Sequence, residues 1–284
     1  MARLLSLDPA LPVLLRPDGA VQVGWNPRRA VLVRPPDGLT TTGLAEVLIG
    51  MHTPVGVGEL HRRASRQGLS DRASFDQLLT ALVDAGVVRS HSRRKSLPAL
   101  SIRVHGCGPI SDVLISMLKC SGARLTHTSR ANATAGADVD LVILADYLTN
   151  DPHLLRELRI AGVPHMAVRV RDGSGLVGPL VVPGVTSCLT CADMHRADRD
   201  SAWPALSAQL RDVIGNADRP TVLATAALAL SQIQRIIVAV RGEEHAGTPP
   251  ATLDTTLEVD VHTNTITSRR WSRHPLCDCH DPAD

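Results

Sequence analysis

Short apolar runs broken by turn residues open the chain. Val13-Leu14-Leu15 and Ala20-Val21-Gln22-Val23-Gly24-Trp25 flank Pro17-Asp18-Gly19, a turn sequence between two extended segments, and Ala30-Val31-Leu32-Val33 follows as a third strand. The apolar spacing then changes to that of helices. Thr40-Thr41-Thr42 caps a helix carrying Leu44, Val47 and Leu48, and a second runs from Val57 to Gln67, with Leu60 and Ala64 inward, before Gly68. Ser70 or Asp71 caps a third, whose stripe of Phe75, Leu78, Leu79 and Leu82 ends at Gly86; Val87-Val88 closes the region as a strand. Three strands, three helices and a closing strand have the rhythm of a small winged-helix module over residues 1–92.

Polar residues from Arg89 to Ser96, followed by Pro98, break this rhythm and place a linker at 93–99. Beyond it, Ser101 to His105 reads as a strand, Gly106-Cys-Gly-Pro-Ile-Ser111 as a tight turn, Val113 to Ser121 as an amphipathic helix and Arg124 to His127 as a second strand. Asp140-Leu-Val-Ile-Leu-Ala-Asp146 is a near-continuous apolar run, the mark of a central parallel strand covered on both faces. A helix over Leu154 to Ala161, a strand over His165 to Val170, a long helix from Thr221, and strands over Thr256 to Val261 and Thr265 to Arg270 complete the pattern. The expected class is α/β, a winged-helix module followed at 100–284 by a Rossmann-like domain.

Length agrees with two cores, since the chain has 284 residues. Aromatic residues make up 2% and are scattered, and net charge is only +2, so base stacking and a polybasic surface are both lacking and nucleic acid is not an expected partner. Arg72 alone on the third helix is thin for a DNA reader. The most apolar stretch, Thr221 to Val240, is interrupted by Ser231, Gln232, Gln234 and Arg235, which argues against a membrane span. The first residues lack a signal-peptide core, so the expected location is cytoplasmic, with reduced thiols.

In that setting the cysteines carry chemistry. Four of the six form two close pairs far apart in the chain, Cys188-Leu-Thr-Cys191 and Cys277-Asp-Cys279. The arrangement resembles a closed four-thiolate zinc site, structural because no position is left for water or substrate. Free, buried or disulfide-linked cysteines are the alternative, and His274 and His280 flank the second pair as replacement ligands. Cys107 and Cys120 read as small buried residues in or beside the first helix of the domain. His195, Asp198, Arg199 and Asp200 follow the first pair; a helix would put His195 and Arg199 on one face, as an acid–base pair, a carboxylate clamp or a polar network over Trp203.

Gly106 and Gly108 follow a strand and precede a helix, the context of a dinucleotide loop, but Ser111 replaces the third glycine and Pro109 removes an amide donor. No acidic residue ends the second strand to hold a ribose. Asp146, at the end of the next strand, is the one candidate for a catalytic carboxylate, against an ordinary role as a cap or turn residue.

A Rossmann glycine turn combined with four cysteines resembles the ThiF/MoeB and ubiquitin-activating-enzyme-like fold over residues 100–280. The segment Val182-Pro-Gly-Val-Thr-Ser-Cys188-Leu-Thr-Cys191 through Trp203-Pro204 is similar to the cyclodehydratase partner proteins of azole-forming peptide biosynthesis, in which a winged-helix peptide clamp precedes this domain. The resemblance implies zinc on Cys188, Cys191, Cys277 and Cys279, a magnesium-binding role for Asp146 in adenylating members, and a homodimer. It also implies an insertion carrying an Arg, a Gln or Asn and a Lys for the triphosphate. Here only about twenty residues separate Leu125 from Asp146, so that machinery is expected to be missing and ATP is not an expected cofactor.

The expected function is a scaffold without independent catalysis. It binds a leader peptide, by strand addition beside Val21 to Val33 and the helix bearing Phe75, Leu78 and Leu82, and presents it to a YcaO-type cyclodehydratase. The alternatives are an adenylating enzyme using Gly106, Gly108 and Asp146, and a DNA-binding regulator.

Overall fold

A computed structural model describes residues 3–91, 99–129, 138–240 and 248–280. The chain divides into two compact units, with the boundary at residues 97 and 98. The linker expected at 93–99 falls almost wholly outside the described residues.

The N-terminal unit holds two three-stranded antiparallel sheets and three helices. Strands β2 (Val13–Leu15), β3 (Val21–Val23) and β4 (Val31–Val33) form a meander in that order, with Leu14, Gln22 and Leu32 in register on one face. Strand β1 (Leu4–Leu7) is the centre of the other sheet, between β5 (Val55–Gly56) and β6 (Val88–His91). Neither β1 nor β5 was anticipated: Leu-Leu-Ser-Leu does not alternate, and β5 is two residues long. Helices α1 (Thr41–Ile49), α2 (Val57–Arg66) and α3 (Arg72–Asp84) follow the apolar stripes. The Thr40 hydroxyl caps α1 at Gly43 N, and Asp71 caps α3 at Ala73 N. Phe75, Leu82, Leu44 and Leu60 are fully buried, each contributing about 1.5–3 kcal/mol.

The second unit is built on a seven-stranded mixed sheet in the order β13-β12-β11-β10-β9-β7-β8. Strands β7 (Ser101–His105), β8 (Arg124–Thr128), β9 (Leu141–Ala145) and β10 (His165–Arg171) run parallel, while β11 (Ser174–Val181), β12 (Thr255–Asp260) and β13 (Thr265–Arg270) add an antiparallel extension. The apolar run of β9 is explained by its two covered faces. Leu141, Ile143 and Ala145 join the core formed with α4 (Pro109–Leu118) and α8 (Arg219–Val240), and Val142 and Leu144 that formed with α5 (Pro152–Ile160). Helix α4 begins four residues earlier than its periodicity indicated, because Pro109 suits a first helical turn.

Strand β11 is the largest departure from the sequence pattern. Gly175, Gly178 and Pro179 read there as breakers, yet a Cβ at Gly175 would collide with the Thr225 hydroxyl of α8, so the glycine lets helix and sheet close together. Helix α8 is long and apolar enough to cross a membrane by length and composition, a test that the buried core helix of a folded domain also passes. Within this fold a stripe including Val222, Ala226, Ala229, Ile233 and Ile237 packs against α4, β10 and β11.

Candidate metal centre and glycine-turn crevice

Helix α6 (Leu189–Ala197) positions the first cysteine pair. Cys188 is its N-cap, with Sγ accepting from Cys191 N at 3.4 Å, and Cys191 lies buried in the first turn. Cys277 and Cys279 come from the segment entering a single 3₁₀ turn at Asp278–His280. Sulfur separations are 3.7 Å for Cys188–Cys191, 3.6 Å for Cys188–Cys277 and 3.4 Å for Cys191–Cys279. Disulfides are excluded, since an S–S bond is about 2.05 Å. Four sulfurs on a tetrahedral ion at about 2.3 Å would stand about 3.8 Å apart, so the cluster fits a metal with little adjustment.

The protonation pattern points the same way. The Cys188 thiol donates to Cys191 sulfur, which lowers the Cys191 pKa to about 4, and the same interaction, with burial, raises that of Cys188. Burial pushes Cys279 up to about 12. Metal binding requires deprotonated sulfurs, so a divalent cation here would displace the thiol protons.

A ring of contacts not visible in the sequence fixes the two cysteine segments. His274 O accepts from Cys277 N at 3.0 Å, and His274 Nε2 donates to Asp198 Oδ2 at 2.9 Å. Leu276 N donates to His274 Nδ1 at 3.1 Å, which places the ring proton on Nε2. His274, Asp198 and His195 lie together, but that tautomer makes His274 Nε2 a donor, so the trio is a hydrogen-bonded brace and not a second metal site. Nor does His274 replace a thiolate; the His280 side chain lies outside the described residues. Arg159 reaches Asp278 O and Oδ2, and Asp254 accepts from Ser187 N and Oγ, just before Cys188.

Of the polar residues after the first pair, Arg199 lies beyond the end of α6 and shares no helical face with His195. Asp200 accepts from Ala202 N, and His195 Nε2 donates to Ser272 O. Asp193, unnoticed in the sequence, accepts from both Arg196 and Trp203 Nε1, with the Arg196 guanidinium 5.2 Å from the Trp203 ring and 4.8 Å from the Trp271 ring.

The glycine turn lies elsewhere, at the C-terminal ends of the parallel strands. The chain leaves β7 toward β8 and returns across it to β9, so the sheet's switch point falls between β7 and β9, where a ligand crevice is expected. Gly106 and Gly108 follow β7, and Asp146 follows β9. Asp146 is buried, with a left-handed backbone (φ 70°), and turns its carboxylate into the crevice. It accepts from Ile110 N at 2.8 Å and Ser111 N at 3.3 Å, the amides that open α4. A Cβ on Gly106 or Gly108 would stand 2.8 or 2.9 Å from that carboxylate. The turn is thus packed against an anion belonging to the chain itself.

Burial raises the Asp146 pKa, and its hydrogen bonds oppose that shift in part. A strap after α7 (Trp203–Gln209) covers the crevice, with Gly215 N donating to Asp146 O and Leu148 N to Val213 O. At the end of β8, Thr128 Oγ1 bonds His105 Nδ1 and His127 Nε2 donates to Gly106 O; among the described residues no carboxylate stands there. The stretch 130–137, where a triphosphate insertion would begin, lies outside the described residues. Cys107 and Cys120 are both exposed, contrary to expectation: Asp146 fills the inner side of the turn, and the buried stripe of α4 ends at Leu118.

A chain with a mixed sheet, a glycine turn after its first parallel strand and a four-cysteine loop has a fold that solved structures share. The heterocyclase TruD superposes with a TM-score of 0.65 at 15% identity, covering 97% of this chain and 42% of that one. MccB of E. coli, solved with ATP, gives 0.58 at 13% identity, covering 97% and 99%. MccB with AMPCPP and MccA gives 0.59 at 12% identity, covering 98% and 100%. The chain thus spans about two fifths of the heterocyclase's length but nearly all of MccB's. At these identities the likeness is one of fold. No protein-family model matches the chain, and no curated protein does.

Proposed function

We propose that the protein is a zinc-braced scaffold that binds a precursor leader peptide and presents it to a YcaO-type modifying enzyme, without nucleotide chemistry of its own. The observation that carries this reading is the Asp146 carboxylate on the Ile110 and Ser111 amides, which a phosphate would otherwise take. Peptide modification as the setting is supported by neighbours described as a heterocyclase in complex with substrate and cofactor and as a microcin C7 biosynthetic enzyme.

The N-terminal unit would act as a winged-helix clamp. Phe75 and Leu82 belong to the core and do not frame a groove, so recognition moves to the meander. Among the described residues its outer strand β4 pairs with β3 alone, and it carries Leu32, 55% exposed, with Leu14 in the same row. A peptide adding to β4 would gain backbone hydrogen bonds and apolar contact with Leu32. The outward face of α8, with Leu223 exposed, suits a homodimer. Titrating leader peptides encoded beside this gene against the full chain tests the proposal; failure of all of them to bind overturns it. Adenylation is the second reading, favoured by the neighbours solved with ATP and AMPCPP, and ATP–pyrophosphate exchange would establish it.

A further inference from the structure

The backbone of the meander fixes which groups its free edge offers. Gly24 N donates to Pro12 O at 2.8 Å, and Arg16 N to Ala20 O at 3.0 Å. Bonded pairs alternate along an antiparallel ladder, so Leu14 and Gln22, midway between these two pairs, exchange hydrogen bonds, and Gln22 turns its N–H and C=O toward β2. Val21 and Val23 then turn theirs toward β4, where Val33 and Val31 face them. Leu32 is left with its N–H and C=O directed away from β3, and among the described residues no strand lies on that side.

Cations frame this opening. Arg34, two residues after Leu32 and kept extended by Pro35, shares the face of Leu32, and Arg28 and Arg29 lie in the turn leading into β4. All three are exposed, and none makes a side-chain hydrogen bond or ion pair among the described residues. Arg16, by contrast, is committed to Asp18 and Gln22, and Asp18 also accepts from Ala20 N. Residues 13–37 thus carry four arginines against Asp18 and Asp37, an imbalance that an acidic neighbouring strand would meet. A nucleic acid would match the arginines but leave the Leu32 amide and carbonyl, and the apolar row of Leu14 and Leu32, without counterparts.

We infer that the peptide segment taken up by β4 is acidic in a set register: an apolar side chain beside Leu32 and a carboxylate two residues to either side, one at Arg34 and the other at the turn holding Arg28 and Arg29. The inference rests on strand addition at β4 and names the class of peptide that the edge selects. Fluorescence anisotropy with the metal-loaded full chain compares labelled Thr-Glu-Thr-Leu-Thr-Glu-Thr, its Gln counterpart, and Thr-Thr-Glu-Leu-Glu-Thr-Thr, whose carboxylates turn to the opposite face, with oligo-dT alongside. The first peptide should bind saturably, about fivefold more tightly than either other peptide and more tightly than oligo-dT. Combined Arg28→Gln, Arg29→Gln and Arg34→Gln, exposed changes that leave the fold intact, should bring it down to the level of the Gln counterpart, whose own affinity stays unmoved. Equal affinities among the three peptides, or a preference that survives the substitutions, would overturn the charge pattern and leave strand addition standing. Oligo-dT binding ahead of every peptide, or no saturable binding by any peptide, would overturn the pattern and the edge as a peptide site together.

Discussion

The cysteine cluster and the glycine-turn crevice are both buried polar sites, but they are complemented in opposite ways. Four sulfurs converge within 4.8 Å of one another, with no cationic side chain among them in the described residues. At the crevice, two helix-opening amides converge on a carboxylate that the chain supplies. The first site is short of a partner and calls for a metal. The second already holds its partner. Fold likeness alone would assign both sites ligands, and the local charge balance separates them.

Removing the metal should have the largest effect. Chelation, or Cys277→Ser, is expected to unfold the second unit, because structural zinc contributes about 10–16 kcal/mol of apparent binding energy, comparable to the whole stability of a domain. Circular dichroism with elemental analysis checks this; an unchanged melt after complete metal loss would remove the contrast between the sites. Asp146→Ala should cost about 1–3 kcal/mol, because the Ile110 and Ser111 amides lose their acceptor.

Asp146→Asn should behave differently, and its pH dependence gives the sign. The folded-state pKa of Asp146 is raised above 3.8, so between 3.8 and that higher value the native state holds the extra proton, and stability attributable to this group falls as pH rises. The asparagine variant should therefore gain on wild type across that window and keep the gain above it, as urea unfolding at several pH values would show. Asp198→Asn, which weakens the His274 brace, should lower metal affinity about 10- to 100-fold with a folded, loaded protein still obtainable. Leu32→Glu should have the smallest structural effect, within about 0.5 kcal/mol, while weakening leader-peptide binding in a fluorescence titration.

Both sites were partly legible in the sequence, for different reasons. Spacing alone found the four cysteines, because two-residue and one-residue gaps leave a mark in the chain. It could not find the His274–Asp198 and Ser187–Asp254 braces, whose members are 76 and 67 residues apart. The strand–glycine–helix context located the turn, but the identity of Asp146 says nothing of a left-handed backbone that aims its carboxylate at amides 35 and 36 residues earlier. In the fold, amphipathic periods placed α1 to α5 and α8, and apolar runs placed the parallel strands, whereas α7 carried no such signal. Strand β11 was lost because the glycines and proline that fit it beneath α8 and beside β12 resemble punctuation.

Equilibrium binding of magnesium ATP to the metal-loaded full chain, wild type beside Asp146→Ala, tests the central contrast most directly. Wild type is predicted to show no saturable binding up to millimolar nucleotide, and the alanine variant, its two amides freed, to bind measurably. Micromolar ATP binding by wild type that is lost in the variant would contradict the account, because Asp146 would then serve the nucleotide instead of taking its place.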